Sequence, residues 1–183
     1  MSTSVKLDIS GLVLMKDQLG RIEQSRKTFC EACVRELAAR LLRKVIQRTP
    51  VGTKPKGLDK NVAQYWEGYS GGTLRRGWTT KSESEAESGK RVDISTFIDN
   101  VNIEHVGDLY SLTIINSVHY AAAVEFGHRQ EPGRFVPALG KRLKSNFVKG
   151  HYMLTISEKE LENEAPAILE KKLEAFIRGA MSG

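Results

Sequence analysis

Apolar residues recur with helical spacing near the start of the chain. A stripe with members four residues apart is widened on one side by a second set: Phe29, Cys33, Leu37, Leu41 and Val45, with Val34, Ala38, Leu42 and Ile46. The residue before a proline is forced out of the helical region, so Thr49-Pro50 ends the segment. The pattern predicts one long amphipathic helix over Gln24–Arg48.

The centre of the chain alternates instead. Leu74, Arg76 and Trp78 fall on one face of a predicted strand over residues 74–80. Alternating segments at residues 97–105 and 109–118 flank a turn at 106–108, which predicts a β-hairpin. A short helix is predicted next over Tyr120–Phe126, and Gly127 ends it.

Three segments have the composition of loops. Residues 51–73 are rich in glycine, with a short helix predicted over 58–66. Residues 81–90 are rich in serine and glutamate and have no apolar residue beyond Ala86, which predicts a solvated loop or hairpin tip. Residues 129–137 form the third loop, with a turn at Pro132-Gly133.

The last third is helical again. Ser157 and Glu160 have the spacing of a capping box, and an apolar stripe follows over residues 161–180. Pro166 either kinks this helix or starts a new one. The sum is a single α+β domain over residues 1–183, in which a long N-terminal and a C-terminal helix pack on a small antiparallel sheet.

The charge of the chain is divided into blocks of alternating sign. The 183 residues carry a net charge of +6, but residues 21–60 and 128–151 carry +7 and +5, whereas 81–109 and 157–174 carry −4 and −3. Such blocks are either solvated surface or surfaces that meet other subunits, and the two interpretations weigh evenly on charge alone.

Candidate chemistry is sparse. Cys30 and Cys33 have the spacing of a zinc half-site or redox pair, but they lie within the apolar stripe and are predicted to be core. The four histidines are scattered, and no phosphate-binding or hydrolase motif accompanies them. We expect no catalytic residues, no metal, no cofactor, no secretory signal and no membrane-spanning helix.

Two basic clusters leave an alternative open. One could line a face of the first helix and the other lies near residue 145: Arg40, Arg43, Lys44 and Arg48, then Lys141, Arg142, Lys144 and Lys149. Without a helix-turn-helix, zinc finger or RNA-binding motif, they would contact the nucleic-acid backbone without reading its sequence. The alternative function is therefore a basic nucleic-acid-binding accessory protein.

Five motifs, in order, carry a resemblance: Thr49–Thr53, Gly72–Trp78, Asn116–Phe126, Val124–His128 and Gly133–Pro137. Together they resemble the tail-completion or head–tail joining family of long-tailed bacteriophages, whose members are also described as minor tail or minor capsid components. The resemblance extends from about residue 24 to residue 180. Whether the chain is a tail terminator, a joining protein or the collar of a contractile tail stays open.

The resemblance implies a structural virion protein of the neck and no enzyme. Such subunits form rings, typically hexamers, that cap the tail tube and dock to the head connector after assembly in the bacterial host cytoplasm. The implied partners are other copies of the chain, the tail tube protein and the connector or stopper protein, with sheath or tape-measure protein as further candidates. DNA passes through the ring without specific binding.

Two stretches depart from the family pattern. Residues 54–71 intervene before the Leu-Arg-Arg motif as an atypical insertion, and residues 141–149 are longer and more basic than the pattern needs. Aromatic and charged residues of the motifs and the insertion are candidates for contacts with other subunits or partners: Tyr65, Trp66, Tyr69, Arg75, Arg76, Trp78, Tyr120, Glu125, Phe126, His128, Arg129, Arg134 and Phe135. Core positions are an equal alternative for Trp78, Tyr120 and Phe126.

Overall fold

Two long antiparallel helices are the largest elements of the fold. A computed structural model describes residues 10–181, with α1 spanning Ser10–Arg48 and α7 spanning Met153–Met181. The rings of Phe29 and Phe176 stack between them with centroids 4.4 Å apart. The predicted first helix is confirmed, and it begins at Ser10 rather than at residue 24.

The prediction that Ser157 caps the second long helix is wrong. The helix begins four residues earlier, and the buried Ser157 hydroxyl donates a hydrogen bond of 2.6 Å to the Met153 carbonyl. Pro166 lies inside this single helix and does not start a new one.

Ion pairs join the two helices along one side. Lys44 Nζ lies 2.7 Å from a Glu164 carboxylate oxygen and 3.2 Å from Glu160, which also pairs with Arg48. Lys172 of α7 lies 4.0 Å from Glu36. Part of the first basic block and of the last acidic block is therefore paired within one chain, and those charges are not available to neighbours.

The core lies between the second half of α1 and a set of short helices. Its buried members come from α1, from residues 74–118 and from the first residue of α7: Ala38, Leu42, Val45, Leu74, Trp78, Ala86, Ile98, Val118 and Met153. The predicted strand over residues 74–80 is wrong, because helix α3 (Thr73–Arg76) occupies this place and buries Leu74. Leu74 and Trp78 are four residues apart, a spacing that suits a helical turn as well as a strand.

Two further predictions fail in the same region. Residues 81–90 contain helix α4 (Glu83–Glu87), whose Ala86 is buried, so the segment is not simply a solvated loop or hairpin tip. The predicted strand over 97–105 is replaced in its first part by helix α5 (Ile94–Asp99). Asp93 caps α5 by accepting a 3.0 Å hydrogen bond from the Ser95 amide.

The β-structure consists of three short antiparallel ladders. Strands β1 (Glu104–Val106) and β2 (Leu109–Ser111) form the predicted hairpin, shorter than expected. β3 (Gly127–Arg129) pairs with β6 (Phe147–Lys149), and β4 (Phe135–Val136) pairs with β5 (Lys141–Arg142). The α+β class is confirmed, as is the short helix α6 (Ala121–Phe126) after the hairpin.

Residues 127–150 leave the body as a two-ladder projection, here called the arm. A 3-10 turn over Pro137–Leu139 forms its tip. The insertion folds as helix α2 (Lys60–Ala63) and a 3-10 turn (Gln64–Trp66), as predicted for 58–66. Trp66 Nε1 donates a 2.6 Å hydrogen bond to the Ala138 carbonyl, so the insertion supports the tip of the arm.

Candidate interaction surfaces

The arginines and the tryptophan of the Leu-Arg-Arg motif make their contacts within their own subunit. Arg75 donates to the Thr49 carbonyl through Nε and Nη2, at 3.2 and 2.7 Å. Arg76 donates to the carbonyls of Ala86 and Gly71, at 2.6 and 2.9 Å. Trp78 is 4% exposed. These three side chains hold α1, α3 and α4 together, which is a structural role inside the subunit.

Glu125 joins the arm's base to the start of α7. Its buried carboxylate accepts hydrogen bonds from the Leu154 amide (3.0 Å), the Thr155 amide (2.9 Å) and the Thr155 hydroxyl (2.8 Å). Burial raises the pKa of Glu125, but these hydrogen bonds lower it by more, so the carboxylate stays ionised. A negative charge at a helix N-terminus is also favoured by the helix dipole.

The aromatic residues of the insertion lie along one side of the body. Trp66 and Tyr69 meet edge to face with centroids 4.9 Å apart, and Tyr65 is exposed. Tyr69 and Tyr120 line a cavity of about 410 Å³ with Gly52 and His151. Burial raises the pKa of Tyr120, so its hydroxyl remains protonated at neutral pH.

The arm exposes large apolar side chains around a groove. Phe135 and Phe147 line a volume of about 1180 Å³ together with Leu139, Arg129 and Arg134. Phe135 is 51% and Phe147 48% exposed. Exposed phenylalanines on so small an element form an apolar surface that water solvates poorly, and such surfaces mark contact sites.

The cations of the arm have no acidic partner in the part of the chain that the structure describes. None of its six lysines and arginines forms an ion pair there; Arg142 donates to the Gly133 carbonyl at 2.7 Å. The second basic block thus differs from the first, in which Lys44 and Arg48 pair with carboxylates of α7. Its charge is free to attract an acidic surface.

A second exposed apolar surface lies at the other end of α7. Leu173 and Ile177 are partly exposed one helical turn apart, with Glu170 and Glu174 on the same side. A groove of about 440 Å³ between α1, α7 and the hairpin runs beside Leu173 and is lined by Cys30 and Leu109. We call Glu170, Leu173, Glu174 and Ile177 the α7 ridge.

The two cysteines are part of this apolar environment. Cys33 is buried, as predicted, and Cys30 is half-buried; both are free thiols. Burial raises the pKa of the Cys33 thiol, which disfavours the reactive thiolate. Within residues 10–181 no group of three or more histidine, cysteine, aspartate or glutamate side chains could hold a metal ion. No helix among them has the length and apolar character to cross a bilayer.

The predicted contact residues fall into three groups, one of which is the exposed tyrosines of the insertion and of α6's start: Tyr65, Tyr69 and Tyr120. Some are engaged inside the subunit: Trp66, Arg75, Arg76, Trp78 and Glu125. Others form exposed surface on the arm or at its base: Phe126, His128, Arg129, Arg134 and Phe135. The sequence did not single out Phe147, Leu173 and Ile177 as candidate contact residues. Phe147 lies among basic residues, and Leu173 and Ile177 lie in the last turns of the C-terminal helix; these positions were the only signal of their exposure.

Comparison with known proteins gives one finding. A family model described as "Bacteriophage HK97-gp10, putative tail-component" matches residues 15–127. The match covers α1 to α6 and ends where the arm begins. No curated protein and no solved structure matches the chain.

Proposed function

Because the chain belongs to the HK97-gp10-like family of bacteriophage tail components, we propose that it is a ring-forming subunit that completes the tail. In this role it caps the tail tube and joins it to the head connector. Its partners are further copies of itself, the tube protein and the connector or stopper protein. Its place is the neck of the virion, after assembly in the host cytoplasm.

The surface area of the subunit is the observation that favours assembly. The chain exposes 13401 Å², whereas a compact monomer of 20.4 kDa exposes about 8800 Å². Large apolar residues are exposed on the long helices and on the arm, among them Leu19, Leu173 and Phe135. A subunit that meets neighbours on more than one side needs such surface.

The electrostatics fit a ring through which DNA passes. In the basic cluster at the end of α1, Arg40, Lys44 and Arg48 are paired with carboxylates, as with Lys44 and Glu164 at 2.7 Å. They form no continuous unpaired cationic face along the helix that could grip a phosphate backbone. The role proposed here is mechanical and needs no catalytic group, metal or cofactor.

Native mass measurement tests the ring. The purified chain, alone and mixed with tail tubes, is expected to form a closed oligomer, with six copies as the leading expectation. Electron microscopy of the mixture should place that oligomer at one end of each tube. A chain that stays monomeric at high concentration and in the presence of tubes would contradict the proposal.

The alternative, a nucleic-acid-binding accessory protein, predicts a different result. The arm's unpaired cations are the observation that favours it. It requires DNA binding by the isolated chain whose log affinity falls linearly with log salt concentration. Lack of binding at low salt eliminates this alternative.

A further inference from the structure

We propose that the arm groove of one copy receives the α7 ridge of the next copy, and that this contact closes the ring. The inference rests on the proposed function and deepens it, since it names the two surfaces that meet. Neither the arm after residue 127 nor α7 lies in the part of the chain that matches the family. The contact is therefore argued from this chain's own residues.

The groove has the shape and lining of a helix-binding site. Phe135, Leu139 and Phe147 form its apolar wall, and its volume is about 1180 Å³. A helix with side chains is about 10–12 Å across and rises 5.4 Å per turn, so the groove accepts one face of about two turns. Amphipathic helices commonly bind in apolar grooves through residues spaced by three, four and seven positions.

The α7 ridge has that spacing. Glu170, Leu173, Glu174 and Ile177 stand at positions i, i+3, i+4 and i+7 of one helix, and Leu173 and Ile177 are 46% and 38% exposed. The two apolar residues present a stripe one turn long to solvent. A copy of the arm groove would remove that stripe from water.

Charge makes the two surfaces complementary. Arg129 and Arg134 line the groove together with a single carboxylate, Glu131, and neither arginine forms an ion pair within the described residues. Glu170 and Glu174 accompany the apolar stripe of the ridge. Opposite charges at the rim steer the encounter and fix the register of the helix in the groove.

The tip of the arm is held by its own chain, because Trp66 of the insertion donates to the Ala138 carbonyl. The arm returns to the body at Gly150, next to the start of α7. Leu173 lies twenty residues further along the helix, about 30 Å away at 1.5 Å per residue. We therefore place the contact between two copies. Because its two surfaces differ, head-to-tail repetition gives a ring or an open helix, whereas a reciprocal exchange would give a dimer, and the size of the covalent oligomers distinguishes the two.

A designed disulfide tests the contact in the full chain. In the Phe135→Cys/Leu173→Cys variant, mild oxidation is expected to give a ladder of covalent oligomers on a denaturing gel, up to the size of the ring. Phe135→Cys and Leu173→Cys alone are the controls, and they reveal any linkage to the natural thiols at Cys30 and Cys33. Both substituted side chains are exposed, so the fold is expected to persist.

Charge reversal gives an independent test. Arg129→Glu/Arg134→Glu is expected to abolish the oligomer, and Glu170→Lys/Glu174→Lys added to it is expected to restore it. Lys81→Glu/Lys90→Glu makes the same change of net charge at exposed positions outside the arm and should assemble normally.

The outcomes separate this inference from the proposed function. A wild-type ring without the F135C/L173C ladder overturns the contact and leaves the ring standing. A monomer under all conditions overturns both. Salt-sensitive DNA binding that is lost in Arg129→Glu/Arg134→Glu, with assembly unchanged, assigns the arm to nucleic acid instead and overturns the contact.

Discussion

The indole Nε1 of Trp78 donates a 2.8 Å hydrogen bond to the hydroxyl of Thr49, and both side chains are buried. The same hydroxyl donates to the Val45 carbonyl at 2.7 Å, and the Thr49 carbonyl accepts from Arg75. Thr49 is thus the point at which the end of α1 is fastened to the segment that follows α3. The motif residues Thr49 and Trp78 are neighbours in space because they share this bond.

Removing the Thr49 hydroxyl tests this relationship. Thr49→Val keeps the side-chain shape but leaves the buried Trp78 N–H without an acceptor, which costs about 1–3 kcal/mol. The free energy of unfolding by urea should fall by that amount.

The matched variants are Thr49→Ser and the pair Thr49→Val/Trp78→Phe. The serine keeps the hydroxyl, so the Trp78 bond survives. In the pair both polar partners are gone, and the combined loss should be smaller than the sum of the two single losses. Strict additivity would show that the bond contributes nothing.

Glu125 makes stability depend on acidity. Its pKa is lowered in the folded chain from an ordinary value of 4.5, so its contribution is present at pH values above that ordinary value. It is lost as the pH falls through the lower folded value. We expect Glu125→Gln to reduce the free energy of unfolding at pH 7 by about 1–2 kcal/mol.

The pH profile is the measurement that distinguishes this role. Wild-type and Glu125→Gln stabilities should converge towards low pH, since the wild-type carboxyl is then protonated. Glu131→Gln, an exposed arm carboxylate, is the control and should follow the wild type. Parallel curves down to pH 2 would show that Glu125 does not act through its charge.

Two glycines of the arm differ in how closely other atoms surround the position that a Cβ would occupy. Gly127 and Gly133 share a φ of +85°, so alanine is strained at both. A Cβ at Gly127 would collide with the Val148 carbonyl and lie 2.8 Å from Gly150 N, whereas at Gly133 it meets nothing within 4 Å. Gly127→Ala should speed proteolysis within the arm markedly, and Gly133→Ala should do so only slightly. Equal rates would exclude crowding at the arm's base.

The ion pairs between α1 and α7 should respond to salt. Hydrogen bonds to Arg48 and Lys44 lower the pKa of Glu160, so its contribution persists at neutral pH and disappears in acid. Glu160→Gln should be less stable than wild type at low salt, and the difference should shrink as sodium chloride is added. Glu158→Gln, exposed on the same helix, serves as the comparison. A difference that is unchanged in high salt would contradict an electrostatic role.

The long helices could be predicted because their apolar stripes repeat over many turns. The short helices could not, because four to six residues do not establish a period. Ile94, Phe97 and Ile98 do have helical spacing, and Asp93 has the position of a cap. The strand prediction over 97–105 failed in its first part because the alternation of Val101, Ile103 and His105 does not extend back to Phe97 and Ile98, which are adjacent and lie in α5.

Capping signals show the same limit. Ser82 and Glu85 have capping-box spacing, and there the Glu85 amide donates to the Ser82 hydroxyl at 3.3 Å. Ser157 and Glu160 have identical spacing, yet Ser157 is interior because the helix start is held by Glu125, some thirty residues earlier. A local pattern does not reveal a cap supplied from a distant part of the chain.

The sequence could not show which charges pair within the chain. On charge alone the alternating blocks were either solvated surface or surfaces that meet other subunits, and in the structure part of the first block pairs with part of the last. Because these charges of α1 and α7 pair with each other, they are not available to a neighbouring subunit. The block at 128–151 remains a candidate surface because none of its lysines and arginines forms an ion pair within the described residues.

The arm leaves the body at Gly127 and returns at Gly150, and the two glycines are so close that a Cβ on Gly150 would lie 2.7 Å from the Gly127 amide nitrogen. A segment whose ends coincide can be lengthened, shortened or exchanged without moving the residues that flank it. The arm also begins where the family match ends. The arm can therefore differ in length or sequence without displacing the helices and the core that carry it.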